Sequence, residues 1–356
     1  MIMNLKFLYA VSIMAFFILV SCSDDESDDV DTGTEIDSGT DDMDSGDEVG
    51  FITEEFFNSS SLMSFSIVTA ELEDGTTADC YELTFSSNPV ASGPFCPDDI
   101  DDIAGMSFYD GATNEGLRVW ADAFLNDLET DGYDIFDEES GIVNVADPNM
   151  NSDTPINTSV SNCLEGEPDD SLELTFLIPV TPKLASSNND IESIELVGLS
   201  VDGVPVNGAP PSAINGPGGM MGGGPGGDTS AATEVNIPSL DPCGGHQDPA
   251  GYYHWHLIPE VANQVLENNL LEIDDAIICE LVEQTDDVVL SGFAKDGFPI
   301  YAYAVEPAGL DDCGGITAST AEFPDGIYHY VASTTSAPNV PACLKGVAAR
   351  DSFSVQ

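Results

Sequence analysis

The chain has 356 residues, with 65 Asp or Glu against 6 Lys or Arg, a formal net charge of −59. Six scattered cations cannot neutralise a phosphate backbone or release its counterions, so nucleic acid is excluded as a partner. Hydrophobic residues at 42% allow a packed core, while 33 Gly and 22 Pro commit much of the chain to turns and loops, which rules out a wholly disordered protein.

At the amino terminus Lys6 precedes an apolar run over residues 7–20, then Ser21 and Cys22. The run falls short of the roughly 20 residues a membrane span needs, and residues 1–22 have the layout of a secretory signal. Leu19, Val20, Ser21 and Cys22 resemble a bacterial lipobox. The resemblance implies that Cys22 is acylated and that the chain meets the membrane through this lipid anchor alone. Residues 23–50 form an acidic tether: 13 acids fall between positions 23 and 48 with no cation, too little apolar surface to offset the entropy of ordering. Asp24, Asp25 and Glu26 resemble the acidic tags that send some Gram-negative lipoproteins to the outside of the outer membrane, which implies a location at the cell surface.

Residues 51–350 read as one exported domain, mainly β with a few short helices, stabilised by disulfides. Its first part, 51–190, carries alternating runs at 64–71 and 81–85 and a predicted helix at 117–128. Asp127, Glu129, Asp131, Gly132 and Glu138 fit the spacing of a calcium loop, with Glu where Asp or Asn is usual. Asp134 stands where an apolar residue normally pins such a loop, so a helix-ending turn at Asp131 and Gly132 is the preferred reading and calcium the lesser one.

The second part, 191–350, contains two related half-repeats. Gly198, Leu199, Ser200, Val201, Asp202, Gly203, Val204, Pro205 and Val206 are echoed by Gly292, Phe293, Ala294, Lys295, Asp296, Gly297, Phe298, Pro299 and Ile300. Asp241, Pro242, Cys243 and Gly244 then lead to Gly251, Tyr252, Tyr253 and His254, as Asp311, Asp312, Cys313 and Gly314 lead to Gly326, Ile327, Tyr328 and His329. Each copy reads as strand, Asp-Gly turn, strand, glycine corner and aromatic strand, because glycine accepts the positive φ of the turn. A glycine-rich insertion, 210–228, interrupts the first copy, and Met220 and Met221 within it are incidental rather than copper ligands. Residues 259–283 between the copies are helix-prone.

In an exported chain, cysteines default to disulfides. The repeat pairs Cys243 with Cys279 and Cys313 with Cys343; Cys80 then pairs with Cys96, leaving Cys163 unassigned. No C-x-x-C pair is present, which argues against a zinc ribbon or a thioredoxin-type site.

All four histidines, His246, His254, His256 and His329, fall inside the repeated motif. Alternation along a strand puts His254 and His256 on one face, and with a third imidazole they make a set suited to zinc or copper, with Asp248 as a further ligand or an acceptor that orients a ring. The alternative is an aromatic core in which these rings are merely hydrogen-bonded.

At these residues the sequence resembles the YHYH-domain proteins, exported bacterial proteins. The resemblance rests on Leu240 to His246 with Asp248, Gly251, Tyr253, His254, Trp255 and His256, on Asp296 to Tyr301, and on Tyr328, His329 and Tyr330 with Cys343; it extends over most of residues 80–346. The chain departs from the pattern at Trp255, Ile316 and Val331. What the resemblance implies is a fold and an exported location, without a settled activity. No G-x-S-x-G elbow, Walker loop or dinucleotide loop is present. Two functions follow as expectations: a metal site on His246, His254, His256 and His329 at the cell surface, with or without hydrolytic or redox chemistry, and a non-catalytic surface or adhesion module for protein or glycan.

Overall fold

The computed structural model describes residues 51–356 except 91, 92, 94, 150–155 and 212–234. The signal, the tether, Cys22, Met220 and Met221 lie outside the described residues. In chain order the elements are β1 (Leu62–Glu71), β2 (Thr77–Ser86), β3 (Met106–Tyr109), β4 (Gly116–Val119), α1 (Asp122–Asp131), β5 (Val145–Ala146), β6 (Asn162–Leu164), β7 (Glu173–Pro179) and β8 (Leu184–Asp190). They continue with β9 (Leu196–Ser200), β10 (Pro205–Asn207), β11 (Asn236–Pro238), β12 (Gly245–Gln247), β13 (Tyr253–Trp255), α2 (Ala262–Asn269), β14 (Val288–Ala294), β15 (Pro299–Tyr303), β16 (Gly315–Ala318), β17 (Ile327–Ala332), β18 (Cys343–Gly346) and β19 (Phe353–Val355). The chain is mainly β, as its alternating runs predict, and those at 64–71 and 81–85 fall within β1 and β2.

An eight-stranded sheet, in the order β12-β13-β10-β9-β14-β15-β17-β16, positions the histidines. Outward from its central antiparallel β9–β14 pair, the order is β9, β10, β13, β12 on one side and β14, β15, β17, β16 on the other. Each side is joined by antiparallel, then parallel, then antiparallel pairing. The registers correspond too: Val206 faces Trp255 as Ile300 faces Tyr330. Gly203 and Gly297 turn the two hairpins at φ 83 and 93, in the left-handed region that costs a side chain strain and glycine none.

A four-stranded sheet, β1-β2-β7-β19, packs on this one: Leu83, Phe85 and Phe176 share a buried cluster with Leu199 and Phe293. A second cluster joins Val197, Val206, Trp255, Ile258, Ile300 and Tyr330. Burying each such side chain contributes about 1.5–3 kcal/mol, so these aromatics hold the histidine-bearing sheet rigid.

Both helices depart from expectation. The segment predicted as a helix over 117–128 begins as β4, because Leu117, Arg118, Val119 and Trp120 are all buried, which is continuous burial rather than a helical stripe; they pair with β3 in a hairpin. Helix α1 starts only at Asp122 and ends on Gly132 in the left-handed conformation, φ 94. Between the repeats, a single 3-10 turn at Pro259–Val261 leads into α2, which is over by Asn269.

Three disulfides form: Cys243–Cys279, Cys313–Cys343 and Cys96–Cys163. The pairing of Cys80 with Cys96 is thereby corrected. Cys80 sits mid-strand in β2 opposite Val68 and Pro179, buried with Leu72 and Val347, and is a free thiol.

Asp127, Glu129, Asp131 and Glu138, the calcium reading, are not grouped as metal ligands among the described residues, and the first three carboxylates accept from protein groups. Asp127 pairs with Arg118 and Asn114, Glu129 accepts from the Ile135 N–H, and Asp131 accepts from Tyr109 and Thr113. The preferred helix-ending turn is what the chain forms there.

Candidate metal centre

Strands β12 and β13 pair with Gly245 opposite Trp255, His246 opposite His254 and Gln247 opposite Tyr253. The chain turns between them at Gly251, φ 100, whose N–H donates to the Asp248 carbonyl. His256 follows β13 and donates its backbone N–H to the Gly244 carbonyl, which carries the strand direction two residues past His254 and returns an imidazole to the same face. Tyr253 and Trp255 take the other alternation. The Trp255 indole N–H donates to the Tyr253 hydroxyl at 2.9 Å, and that hydroxyl donates to the buried Asp241 carboxylate. Asp241 also accepts the backbone N–H groups of Cys243 and Gly245, tying the aromatic strand to the disulfide-braced corner.

Three imidazole nitrogens meet on the histidine face. The Nε2 atoms of His254 and His256 are 3.1 Å apart, those of His256 and His246 are 3.2 Å apart, and the ligand atoms of all three lie within 4.8 Å of one another. In a tetrahedral site with Zn–N bonds near 2.0–2.1 Å, nitrogens are separated by about 3.3 Å, so two of the three edges already have the separation a bound ion sets.

Second-layer groups fix which nitrogens face inward. His256 Nδ1 lies 2.5 Å from the Gly208 carbonyl, which can only accept, so Nδ1 carries the proton and Nε2 the lone pair. Gly208 reaches that position because it has no side chain: a Cβ there would lie 2.4 Å from the Glu192 carbonyl oxygen. The Ser239 carbonyl is the acceptor beside His246. His254 Nδ1 is buried without a partner, with the Tyr252 carbonyl near it but outside good hydrogen-bond geometry.

Burial pushes all three rings toward neutrality. Desolvation first, and the neighbouring His256 second, pull His246 down to about 3; desolvation pulls His256 down to about 4 and, with both neighbours, His254 well below the ordinary histidine range. Neutral rings with inward lone pairs are what a metal ligand set requires. A proton on His254 Nε2 would satisfy the 3.1 Å contact without an ion and must move to Nδ1 for that nitrogen to ligate, while the His246–His256 contact leaves two acceptors facing each other, which a cation resolves.

The set is closed on one side and open on the other. His256 is fully buried, whereas His246 and His254 line a cleft of about 440 Å³ together with Tyr252, Asp248, Asn207 and Leu164. An ion held by these three rings would have a coordination position open to the cleft.

His329 does not join this set. It lies on β17, five inter-strand steps from β13 in the sheet order, about 24 Å at the usual strand spacing. There its Nε2 meets the Tyr303 hydroxyl at 2.8 Å with the rings stacked, and Ile316 stands opposite it where His246 stands opposite His254. Asp248 lines the cleft without entering the ligand group and accepts the Ala250 N–H at 2.8 Å. The sequence reading missed Gly208 and Ser239, which act through backbone carbonyls and leave no side-chain signal, and gave no role to Tyr252, whose ring packs on His254 at 5.7 Å.

Comparison with curated proteins and with solved structures gives no significant match. The family model described as YHYH protein matches residues 175–308 and 303–346, a span that holds all eight strands of the histidine-bearing sheet, and the chain belongs to the YHYH-domain family.

Proposed function

We propose that this chain is a lipid-anchored surface protein whose YHYH domain binds one transition-metal ion, zinc or copper, on His246, His254 and His256. The observation that carries the reading is the convergence of three imidazoles, two buried and His246 half-buried, with Nε2 separations of 3.1 and 3.2 Å beside a cleft. An all-imidazole set suits both metals, with copper favoured by intrinsic affinity. When bound, such an ion supplies Lewis acidity at its open position and lowers the pKa of a bound water. The protein's own groups hold the rings: Gly208 orients His256, Ser239 lies beside His246, and the Tyr252 ring supports His254. The anchor rests on the lipobox ending in Cys22 and on the acidic tether that follows it, which repels an anionic bilayer and holds the domain clear of it.

Elemental analysis of tag-free protein tests the reading. One zinc or copper per chain is expected, lost in the His254→Ala, His256→Ala double variant. At 100 times Kd the ion stabilises the wild type by about 2.7 kcal/mol, so chelator lowers its Tm and leaves that of the variant unchanged. No stoichiometric metal, together with a chelator-insensitive Tm, overturns the proposal.

A further inference from the structure

Among the described residues, no Lys or Arg lines the cleft at the open face of the triad. Between Lys183 and Lys295 the sequence contains no Lys or Arg. The cations nearest in sequence are committed elsewhere: Lys183 to Asp74, Lys295 to Glu195, and Arg118 to Asp127 and Glu272. Among the described residues Asp248 is the one carboxylate on the lining, and it already accepts the Ala250 N–H and the Tyr252 hydroxyl. A phosphate, sulfate or carboxylate ligand would lose hydration against Leu164, Pro238 and Tyr252 beside the Asp248 carboxylate, and its one positive partner would be the ion on the triad. The volume, about 440 Å³, suits a small molecule.

Ile194 adds an independent observation. It lines the cleft 45% exposed and has φ 60, the left-handed region, which costs a β-branched residue roughly 1–2 kcal/mol and which glycine or asparagine occupies more easily. Its N–H donates to the Ala209 carbonyl, next to the Gly208 carbonyl that orients His256. The backbone thus holds an apolar side chain at the rim of the cleft against its own preference, the pattern of strain kept at a functional position.

We infer that this cleft binds an uncharged, partly apolar small molecule that directs a nitrogen or oxygen donor at the triad, with Ile194 as a specificity-determining wall. The inference rests on the metal reading above. It is tested on the full chain loaded with cobalt(II), titrated at pH 8 with 4-phenylimidazole and with 4-(imidazol-4-yl)benzoate, which share a donor nitrogen and a shape but differ by a carboxylate. Calorimetry and the visible cobalt bands are expected to show at least about tenfold tighter binding of the uncharged probe. Ile194→Gly is expected to weaken that probe several-fold while its Tm equals or exceeds that of the wild type, an outcome a purely structural role for Ile194 would not give. Cobalt bound at one per chain with equal affinity for both probes, or with affinity unchanged in Ile194→Gly, overturns this inference and leaves the metal reading standing. Failure to take up cobalt, zinc and copper alike removes both.

Discussion

His246 and His254 lie directly opposite each other across the β12–β13 pair, with ring centroids 4.7 Å apart at 64°. Cross-strand partners of this kind are fixed by backbone register rather than by side-chain flexibility, so the pair is preorganised and His256 completes it from the same strand. Removing any one of the three is expected to lower metal affinity by at least about 100-fold, and His329→Ala to leave stoichiometry and affinity unchanged, because its ring is engaged with Tyr303 at the far side of the sheet. Competition titration with a chromogenic chelator reads both. Equal losses in His246→Ala and His329→Ala would contradict the geometry.

Among the described residues, the cysteines divide between bridged and inert. The Cys96–Cys163 bridge spans 67 residues, and in the chain-entropy model removing it costs about 4 kcal/mol. Cys80 is buried within β2, and desolvation pushes its thiol up to about 11, so almost none is thiolate at neutral pH. Native protein is expected to resist iodoacetamide and to gain one label per chain only when unfolded. Cys80→Ala should cost far less stability than the Cys96→Ala, Cys163→Ala double change, as denaturant melts will show.

What could be read from the sequence was what repeats and periodicity encode. The Asp-Gly turns at Gly203 and Gly297, the two bridges that follow the repeat, and His254 with His256 on one strand face all carry local signals. His329 misled because a shared motif does not fix a strand's place in the sheet: β13 and β17 lie toward opposite ends of one sheet and cannot share an ion. Cys163 found Cys96 through a three-dimensional contact that spacing does not encode. The Gly208 carbonyl and the strained Ile194 act through backbone conformation, which residue identity alone does not reveal.

Glu260 gives the chain a pH dependence with a definite sign. Its Oε2 is buried without a partner beside the Ser291 hydroxyl, and desolvation pushes the carboxyl up to about 7. The folded state therefore binds a proton that the unfolded chain releases near the ordinary value of 4.5, so this group's contribution is fully present below pH 4.5 and is lost as pH rises through 7. The loss is at most about 3 kcal/mol. The neutral histidines act oppositely, losing stability as pH falls below about 6.5, so the comparison must be with Glu260→Gln. The stability difference, variant minus wild type, is expected to grow between pH 5 and 8; a flat difference by urea melts would show the carboxyl to be ionised at no cost.

The Tyr253 hydroxyl links the aromatic strand to the corner that carries the disulfide. It donates to Asp241, which is 2% exposed, and accepts the Trp255 indole N–H at 2.9 Å. Tyr253→Phe removes one oxygen from this chain and leaves a buried carboxylate oxygen and a buried indole N–H each short of a partner. Such orphaned groups cost about 1–3 kcal/mol apiece, more for the charged one. Because Tyr253 and Trp255 alternate with His254 on β13 and with His256 just past its end, loosening their anchor frees the register on which the Nε2 separations depend. The variant is expected to lose roughly 2–4 kcal/mol of stability and to bind metal more weakly. Tyr253→Phe combined with Asp241→Asn should recover part of the stability, since a neutral amide is cheaper to leave underpartnered than a carboxylate. Thermal melts of the single and double variants, each with and without metal, separate loss of the fold from loss of the site; an additive double variant would show that the hydroxyl and the carboxylate are not coupled.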